Sequence, residues 1–83
     1  MGKSNPFVDR TVVVTGTFNN FSREGILDLL SALGARTSTS VAEDTDYLIY
    51  GAVPGSRKVA LAIQLGVNMI SEEGFAEMLA MAE

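Results

Sequence analysis

Near its start the chain reads TVVVTG at residues 11–16, five β-branched residues followed by a glycine. A continuous run of this kind, without polar alternation, is typical of a strand that is buried on both faces, as in a parallel sheet. The stretch YLIYG at residues 47–51 repeats the pattern and predicts a second buried strand. Each run stops at a glycine, which marks the end of the strand and the start of a loop.

Three segments have the spacing of amphipathic helices. Ser22 is the predicted N-cap of the first helix, which Gly34 ends. A second helix is expected from about residue 57 to residue 65, and Ser71 is the predicted N-cap of a third. The two acidic residues that follow Ser71 favour a helix start there because they complement the helix dipole.

Two weaker strands complete the pattern, a polar edge strand over residues 37–41 and a fourth strand over residues 67–70. The order of elements is then β-α-β-β-α-β-α. Because crossovers between parallel strands are right-handed, few arrangements satisfy this order. We predict an α/β fold with a four-stranded parallel sheet, strand order 2-1-3-4, flanked by three helices. Residues 1–10 are predicted to be a lead-in to a single domain over residues 11–83.

Composition excludes several classes of function. The 83 residues, 47% of them hydrophobic, include no cysteine and no histidine. A disulfide framework, a thiolate zinc site and thiol catalysis are therefore excluded, and the commonest general base is absent. No apolar run approaches the roughly 20 residues of a membrane span. We expect no catalytic residues, no metal and no cofactor, and the lack of cysteine fits a reducing, intracellular setting.

Two further stretches could be mistaken for binding motifs. The stretch GAVPGSRK at residues 51–58 does not have the spacing of a nucleotide-binding P-loop. Acidic residues at positions 43, 44 and 46 are interpreted as a solvated loop.

Phe21 is predicted to pack against the first helix, whereas Phe18 could equally pack in the core or stack on a nucleic-acid base.

A candidate phosphate site follows from the predicted topology. In an open α/β sheet, ligands bind at the carboxyl ends of the strands where the winding direction reverses, here between strands 1 and 3. Thr15 offers a hydroxyl donor and Gly16 an unobstructed backbone N–H. Arg23 can bind phosphate oxygens bidentately, and Lys58 adds a compact charge. Accessory roles are predicted for Thr17 and Arg57. The net charge of −4 argues against broad, charge-driven binding to nucleic acid, so a single phosphate is the better expectation.

Taken together, the motifs resemble those of a BRCT domain along nearly the whole chain. The matching stretches are VVVTGTF at residues 12–18, SRE at 22–24, LGA at 33–35, SV at 40–41, TDYLI at 45–49 with Gly51, GSRK at 55–58, LGV at 65–67 and ISEEGF at 70–75. The resemblance is narrower to the subgroup found in bacterial NAD-dependent DNA ligases and in the large subunit of replication factor C.

This resemblance implies a non-catalytic module that works in DNA replication or repair. In the clamp-loader member of the subgroup, the corresponding threonine, glycine, arginine and lysine hold the 5′ phosphate of duplex DNA. That role transfers to Thr15, Gly16, Arg23 and Lys58. The alternative is a module that binds a protein or phosphopeptide partner. A bacterial parent protein would place the domain in the cytoplasm, associated with the nucleoid and not with a membrane, and the isolated domain is expected to be monomeric.

Overall fold

The computed structural model describes residues 6–81, which form one sheet and three helices. None of the helices in that range is both long and apolar enough to cross a membrane. In chain order the elements are β1 (Thr11–Thr15), α1 (Arg23–Ala32), β2 (Arg36–Ser38), β3 (Tyr47–Tyr50), α2 (Ser56–Leu65), β4 (Asn68–Ser71) and α3 (Glu72–Met81).

The sheet has the strand order β2-β1-β3-β4, and every pair of neighbouring strands is parallel. The registers place Thr11 beside Arg36, Val12 beside Tyr47, and Tyr47 beside Asn68. The predicted α/β fold and strand order 2-1-3-4 are therefore confirmed. As the second strand from one edge, β1 pairs on both sides, which accounts for its unbroken β-branched sequence.

The alternation of side chains along β1 divides the core into two clusters. Val12 and Val14 pack with α1 and α3, in the cluster that contains Ile26 and Phe75. Val13 points the other way, into the cluster that contains Ala62 of α2. Because successive strand residues face opposite sides of a sheet, both faces of β1 are buried.

The predicted helix boundaries have identifiable caps. The Ser22 hydroxyl accepts a hydrogen bond from the Gly25 N–H at 2.9 Å, and the Ser71 hydroxyl accepts one from the Gly74 N–H at 3.1 Å. After α1, Gly34 has a φ of +86°, the left-handed conformation that glycine adopts at low cost. The helix α2 differs, because its N-cap residue is Gly55 and no side chain forms a capping hydrogen bond at the start of the helix.

The edge strand β2 is shorter than predicted, since the ladder ends at Ser38 rather than continuing to Val41. The Ser38 hydroxyl donates to the Ser40 carbonyl at 3.2 Å and accepts from the Ser40 N–H at 3.3 Å. This local turn competes with the strand ladder, as short hydroxyl side chains commonly do. Val41 then packs in the α2-side cluster from a loop. The strand β4 is also displaced by one residue from the prediction.

The segment expected to be a lead-in contributes to the core. Phe7 is fully buried, with its ring centroid 5.6 Å from that of Tyr47 and 5.7 Å from that of Phe75, both in edge-to-face geometry. The Asp9 N–H also donates to the Gly34 carbonyl at 3.0 Å. Phe7 and Asp9 therefore attach the second half of the predicted lead-in to the domain. Residues 1–5 of the lead-in and residues 82–83 of the predicted domain lie outside the described residues.

Candidate functional site

Two loops meet at the carboxyl edge of the sheet, one after β1 and one after β3. The Thr17 N–H donates to the Ala52 carbonyl at 2.8 Å, and the Ala52 N–H donates to the Thr17 carbonyl at 2.7 Å. The Gly51 N–H donates to the Thr15 carbonyl at 3.0 Å. These bonds hold the loops together and occupy the space between the ends of β1 and β3, where the sequence predicted a ligand crevice.

Thr15 and Gly16 lie at the base of this junction. The Thr15 side chain is buried, and its hydroxyl accepts a hydrogen bond from the Gly55 N–H at 3.1 Å, which ties the end of β1 to the start of α2. Gly16 has a φ of +95°. A β-carbon there would lie 2.9 Å from the Ala52 carbonyl oxygen, so the close approach of the two loops requires glycine.

The two predicted cations line one pocket, of about 90 Å³, on the β2 side of β1. Arg23 is the first residue of α1, and its Nη2 donates to the Gly16 carbonyl at 3.4 Å. Lys58 lies in the first turn of α2 and is half-buried. The other lining residues are Val14, Leu27, Ser38 and Thr39.

Of the six described residues that line the pocket, Arg23 and Lys58 are cationic and none is acidic. The ion pair within residues 6–81 joins Arg10 and Asp46, at 3.9 Å, so neither Arg23 nor Lys58 is paired with a carboxylate there. Val14 and Leu27 supply an apolar wall. An apolar wall lowers the local dielectric constant, which strengthens the attraction of the half-buried Lys58 for an anion more than that of the exposed Arg23.

The structure thus brings Arg23 and Lys58 together and leaves the other predicted residues around them. Thr15 and Gly16 adjoin the pocket, next to its wall residue Val14, but do not line it. Thr17 is held in the loop bridge, and Arg57 is exposed outside the pocket. Sequence reasoning missed Ser38 and Thr39. The signal available was the run of hydroxyl residues at the end of the edge strand, residues 37–40, at the same edge of the sheet as Thr15.

Phe18 and the acidic loop both make contacts with the rest of the domain. Phe18 is half-buried and packs against the α1- and α3-side cluster, which favours the packing role over base stacking. The Asp46 carboxylate accepts a hydrogen bond from the Thr11 N–H at 2.9 Å, in addition to its contact with Arg10. Across residues 6–81 there is no group of three or more acidic side chains placed to hold a metal ion.

Glu72, the first residue of α3, binds the backbone of the loop between β1 and α1. Its side chain is buried, and the two carboxylate oxygens accept hydrogen bonds from the Asn20 N–H at 2.6 Å and the Asn19 N–H at 3.1 Å. These backbone donors, that of Asn20 first, lower the pKa of Glu72 below its ordinary value of 4.5, although burial opposes them. The ionised carboxylate therefore stabilises the loop that leads to Arg23.

Acid is expected to weaken this contact. A carboxyl group whose pKa is lower in the folded state contributes stability at pH values above its unfolded pKa, and that contribution disappears as the pH falls through the folded pKa. The midpoint of thermal unfolding, measured from about pH 7 down to about pH 3, should fall less steeply in Glu72→Gln than in the wild type. Glu73→Gln is the matched control, because Glu73 is adjacent and exposed. Equal slopes for wild type and Glu72→Gln would contradict the assigned role.

Comparison with known proteins identifies the family of this chain. The model of the BRCA1 C Terminus (BRCT) domain family matches residues 2–79. A DNA ligase of Clostridium botulinum (strain Hall) is 52% identical over 75 residues, which are 90% of this chain and 11% of the ligase. A DNA ligase of Clostridium novyi (strain NT) is 47% identical over 77 residues, 93% of this chain and 11% of the ligase. The chain thus spans only 11% of the length of these curated relatives, and over that length it belongs to the BRCT domain family.

Proposed function

We propose that this chain is a non-catalytic DNA-binding module of a DNA ligase or a related replication or repair protein, and that it recognises a 5′-phosphorylated DNA end. The observation that carries the proposal is the pocket in which Arg23 and Lys58, from two different helices, meet without a carboxylate. Similarity to the DNA ligases of Clostridium supports the biological setting. An NAD-dependent ligase of the bacterial cytoplasm is the parent protein that we propose.

The chemistry of the pocket suits a phosphate group. The Arg23 guanidinium can form two parallel hydrogen bonds to phosphate oxygens, whereas the Lys58 ammonium acts as a compact charge. Lys58 also lies in the first turn of α2, whose N-cap residue has no side-chain cap. The uncapped backbone N–H groups of a helix start favour an anion.

Thr15 and Gly16 adjoin the pocket without lining it, and we propose that they support the site from beside Val14. The Thr15 hydroxyl accepts the Gly55 N–H, and therefore retains its own hydrogen for donation. Gly16 places its carbonyl on Arg23, which orients the guanidinium. Thr17 and Arg57 are proposed as accessory residues, because they lie in the two segments that frame the pocket.

Affinity from one such pocket is modest. A hydrogen bond to a charged group contributes about 1.5–3 kcal/mol, and the domain as a whole is acidic, with a net charge of −4. Strong binding in a parent protein would come from tethering to other DNA-binding domains, which raises the effective concentration of the DNA end.

Lys58→Ala is expected to weaken binding to a recessed duplex with a 5′ phosphate at least about tenfold, because the loss of a charge-assisted contact costs about 1.5 kcal/mol or more. Fluorescence anisotropy at low salt measures the affinity, with the same duplex lacking the phosphate as the second ligand. Arg36→Ala is the control for charge, since Arg36 is exposed, lies at the amino end of β2 and does not line the pocket. Arg36→Ala should weaken binding to both duplexes by a similar, smaller factor.

Binding that is unchanged both by removal of the 5′ phosphate and by Lys58→Ala would refute the proposal. A partner protein would then be the better candidate, and one observation favours a particular surface for it. Ile63 and Leu65 of α2 are apolar side chains that are 68% and 39% exposed. Such residues suit a phosphate-independent protein interface more than a nucleic-acid contact.

A further inference from the structure

We infer that Thr39, which lines the pocket with Arg23 and Lys58, is a further phosphate-contacting residue of this site. This contact places the phosphate on the β2 side of β1 and suits the site to a terminal phosphate monoester. This inference rests on the proposed function. Thr39 follows the edge strand β2, whereas the residues of the proposed site lie at the end of β1 and at the starts of α1 and α2.

The topology of the sheet brings Thr39 to the site. Because β1 and β2 are parallel, their carboxyl ends lie at the same edge of the sheet, and Thr39 directly follows the last residue of β2. Thr39 lines the same pocket as Arg23 and Lys58. Three different elements, α1, α2 and the end of β2, therefore converge on one volume of about 90 Å³. A single water molecule needs only about 10–15 Å³ of such space, so the pocket admits a small polar group.

Of the two hydroxyl groups in the pocket, the one on Thr39 is available to a ligand. The Ser38 hydroxyl already donates to the Ser40 carbonyl and accepts from the Ser40 N–H. Thr39 is exposed, and within residues 6–81 its hydroxyl forms no hydrogen bond. The turn made by Ser38 ends the ladder of β2 before Thr39, which releases Thr39 from the strand.

The set of donors matches a terminal phosphate better than an internucleotide one. A phosphate monoester carries a charge of about −1.5 to −2 at neutral pH and has three acceptor oxygens. Arg23, Lys58 and Thr39 offer two positive charges and a neutral donor, so each terminal oxygen can have its own partner. An internucleotide phosphate carries one negative charge and has fewer free oxygens. The pocket is therefore expected to prefer the end of a strand to its interior.

The experiment compares four proteins, the wild type, Thr39→Ala, Thr39→Ser and Thr37→Ala, on the duplexes with and without the 5′ phosphate. Thr39→Ala should lose about tenfold in affinity for the phosphorylated duplex and less than about twofold for the other, because one hydrogen bond to an anion is removed. Thr39→Ser keeps the hydroxyl and should keep the affinity. Thr37→Ala is the matched control, since Thr37 lines the adjoining groove but not this pocket. All four should unfold at similar temperatures, because both threonines are exposed.

The outcomes separate the inference from the proposal on which it rests. Phosphate-dependent binding that Lys58→Ala abolishes and Thr39→Ala leaves intact would overturn the inference and keep the proposed function. Equal losses for Thr37→Ala and Thr39→Ala, on both duplexes, would also overturn it, because they would indicate a general effect of the edge strand. Binding that depends on neither the phosphate nor Lys58 would remove the proposed function and the inference together.

Discussion

Phe75→Ala is expected to destabilise the domain by about 3–5 kcal/mol, the usual cost of removing a fully buried phenylalanine ring. Phe75 is fully buried in α3, and its ring makes edge-to-face contacts with those of Phe7 and Phe21, at centroid distances of 5.7 Å and 5.5 Å. A chain of 83 residues has a total stability of roughly 4–12 kcal/mol. This one substitution therefore removes a large part of the folding free energy.

Urea unfolding followed by circular dichroism measures this loss. Phe75→Leu is the first control, because it keeps an apolar side chain in the cavity and should cost much less. Phe21→Ala is the second, since Phe21 touches the same ring but is only half-buried. The order of destabilisation should be Phe75→Ala, then Phe21→Ala, then Phe75→Leu. A loss below about 1.5 kcal/mol for Phe75→Ala would mean that the α1- and α3-side cluster is not the main core.

Gly16→Ala is expected to cost about 3 kcal/mol, from two sources that add. A side chain at a φ of +95° is strained by about 1–2 kcal/mol. The new methyl group would also lie 2.9 Å from both the Ala52 carbonyl oxygen and the Gly51 nitrogen, and both are backbone atoms. Overpacking of this kind costs about 1–3 kcal/mol. Relief requires the β1–α1 and β3–α2 loops to separate, which breaks the bridge between Thr17 and Ala52.

Gly66→Ala isolates the strain from the contact. Gly66 has a φ of +73° at the end of α2, and a β-carbon there would meet no atom within 4 Å. Its cost should be about 1–2 kcal/mol, from backbone strain alone. The difference between the two variants in urea unfolding then measures the close approach of the loops. If Gly16→Ala cost no more than Gly66→Ala, the loops would not be packed as tightly as the distances indicate.

The central strands could be predicted to the residue because their signal is local. β1 and β3 are apolar runs that end at Gly16 and Gly51, and no distant contact is needed to recognise them. The edge strand was predicted too long, since its end depends on the hydroxyl of Ser38, which can serve a turn as well as point out of a strand. Burial of Phe7 escaped prediction because it depends on contacts with Tyr47 and Phe75, which are distant in the sequence.

In the candidate site, too, some features follow from local sequence and others depend on distant contacts. Arg23 and Lys58 could be predicted because each lies at the start of a helix that follows a central strand, and the topology sends both to one edge of the sheet. The position of the pocket could not be predicted in this way. Hydrogen bonds between Thr17 and Ala52 bridge the ends of β1 and β3, and the pocket that Arg23 and Lys58 line is on the β2 side instead.

The pairing of β1 with both β2 and β3 also determines how the chain can fold. All three strand pairings are parallel, so none can begin as a hairpin, and each requires the closure of a long loop before its contacts form. Such a topology folds more slowly than a helical bundle of similar length. The rate-limiting step is expected to recruit β1, since two of the three strand pairings, those with β2 and β3, include it. Substitutions in β1 should then slow folding. We expect α3 to dock after that step, so substitutions in α3 should mainly speed unfolding.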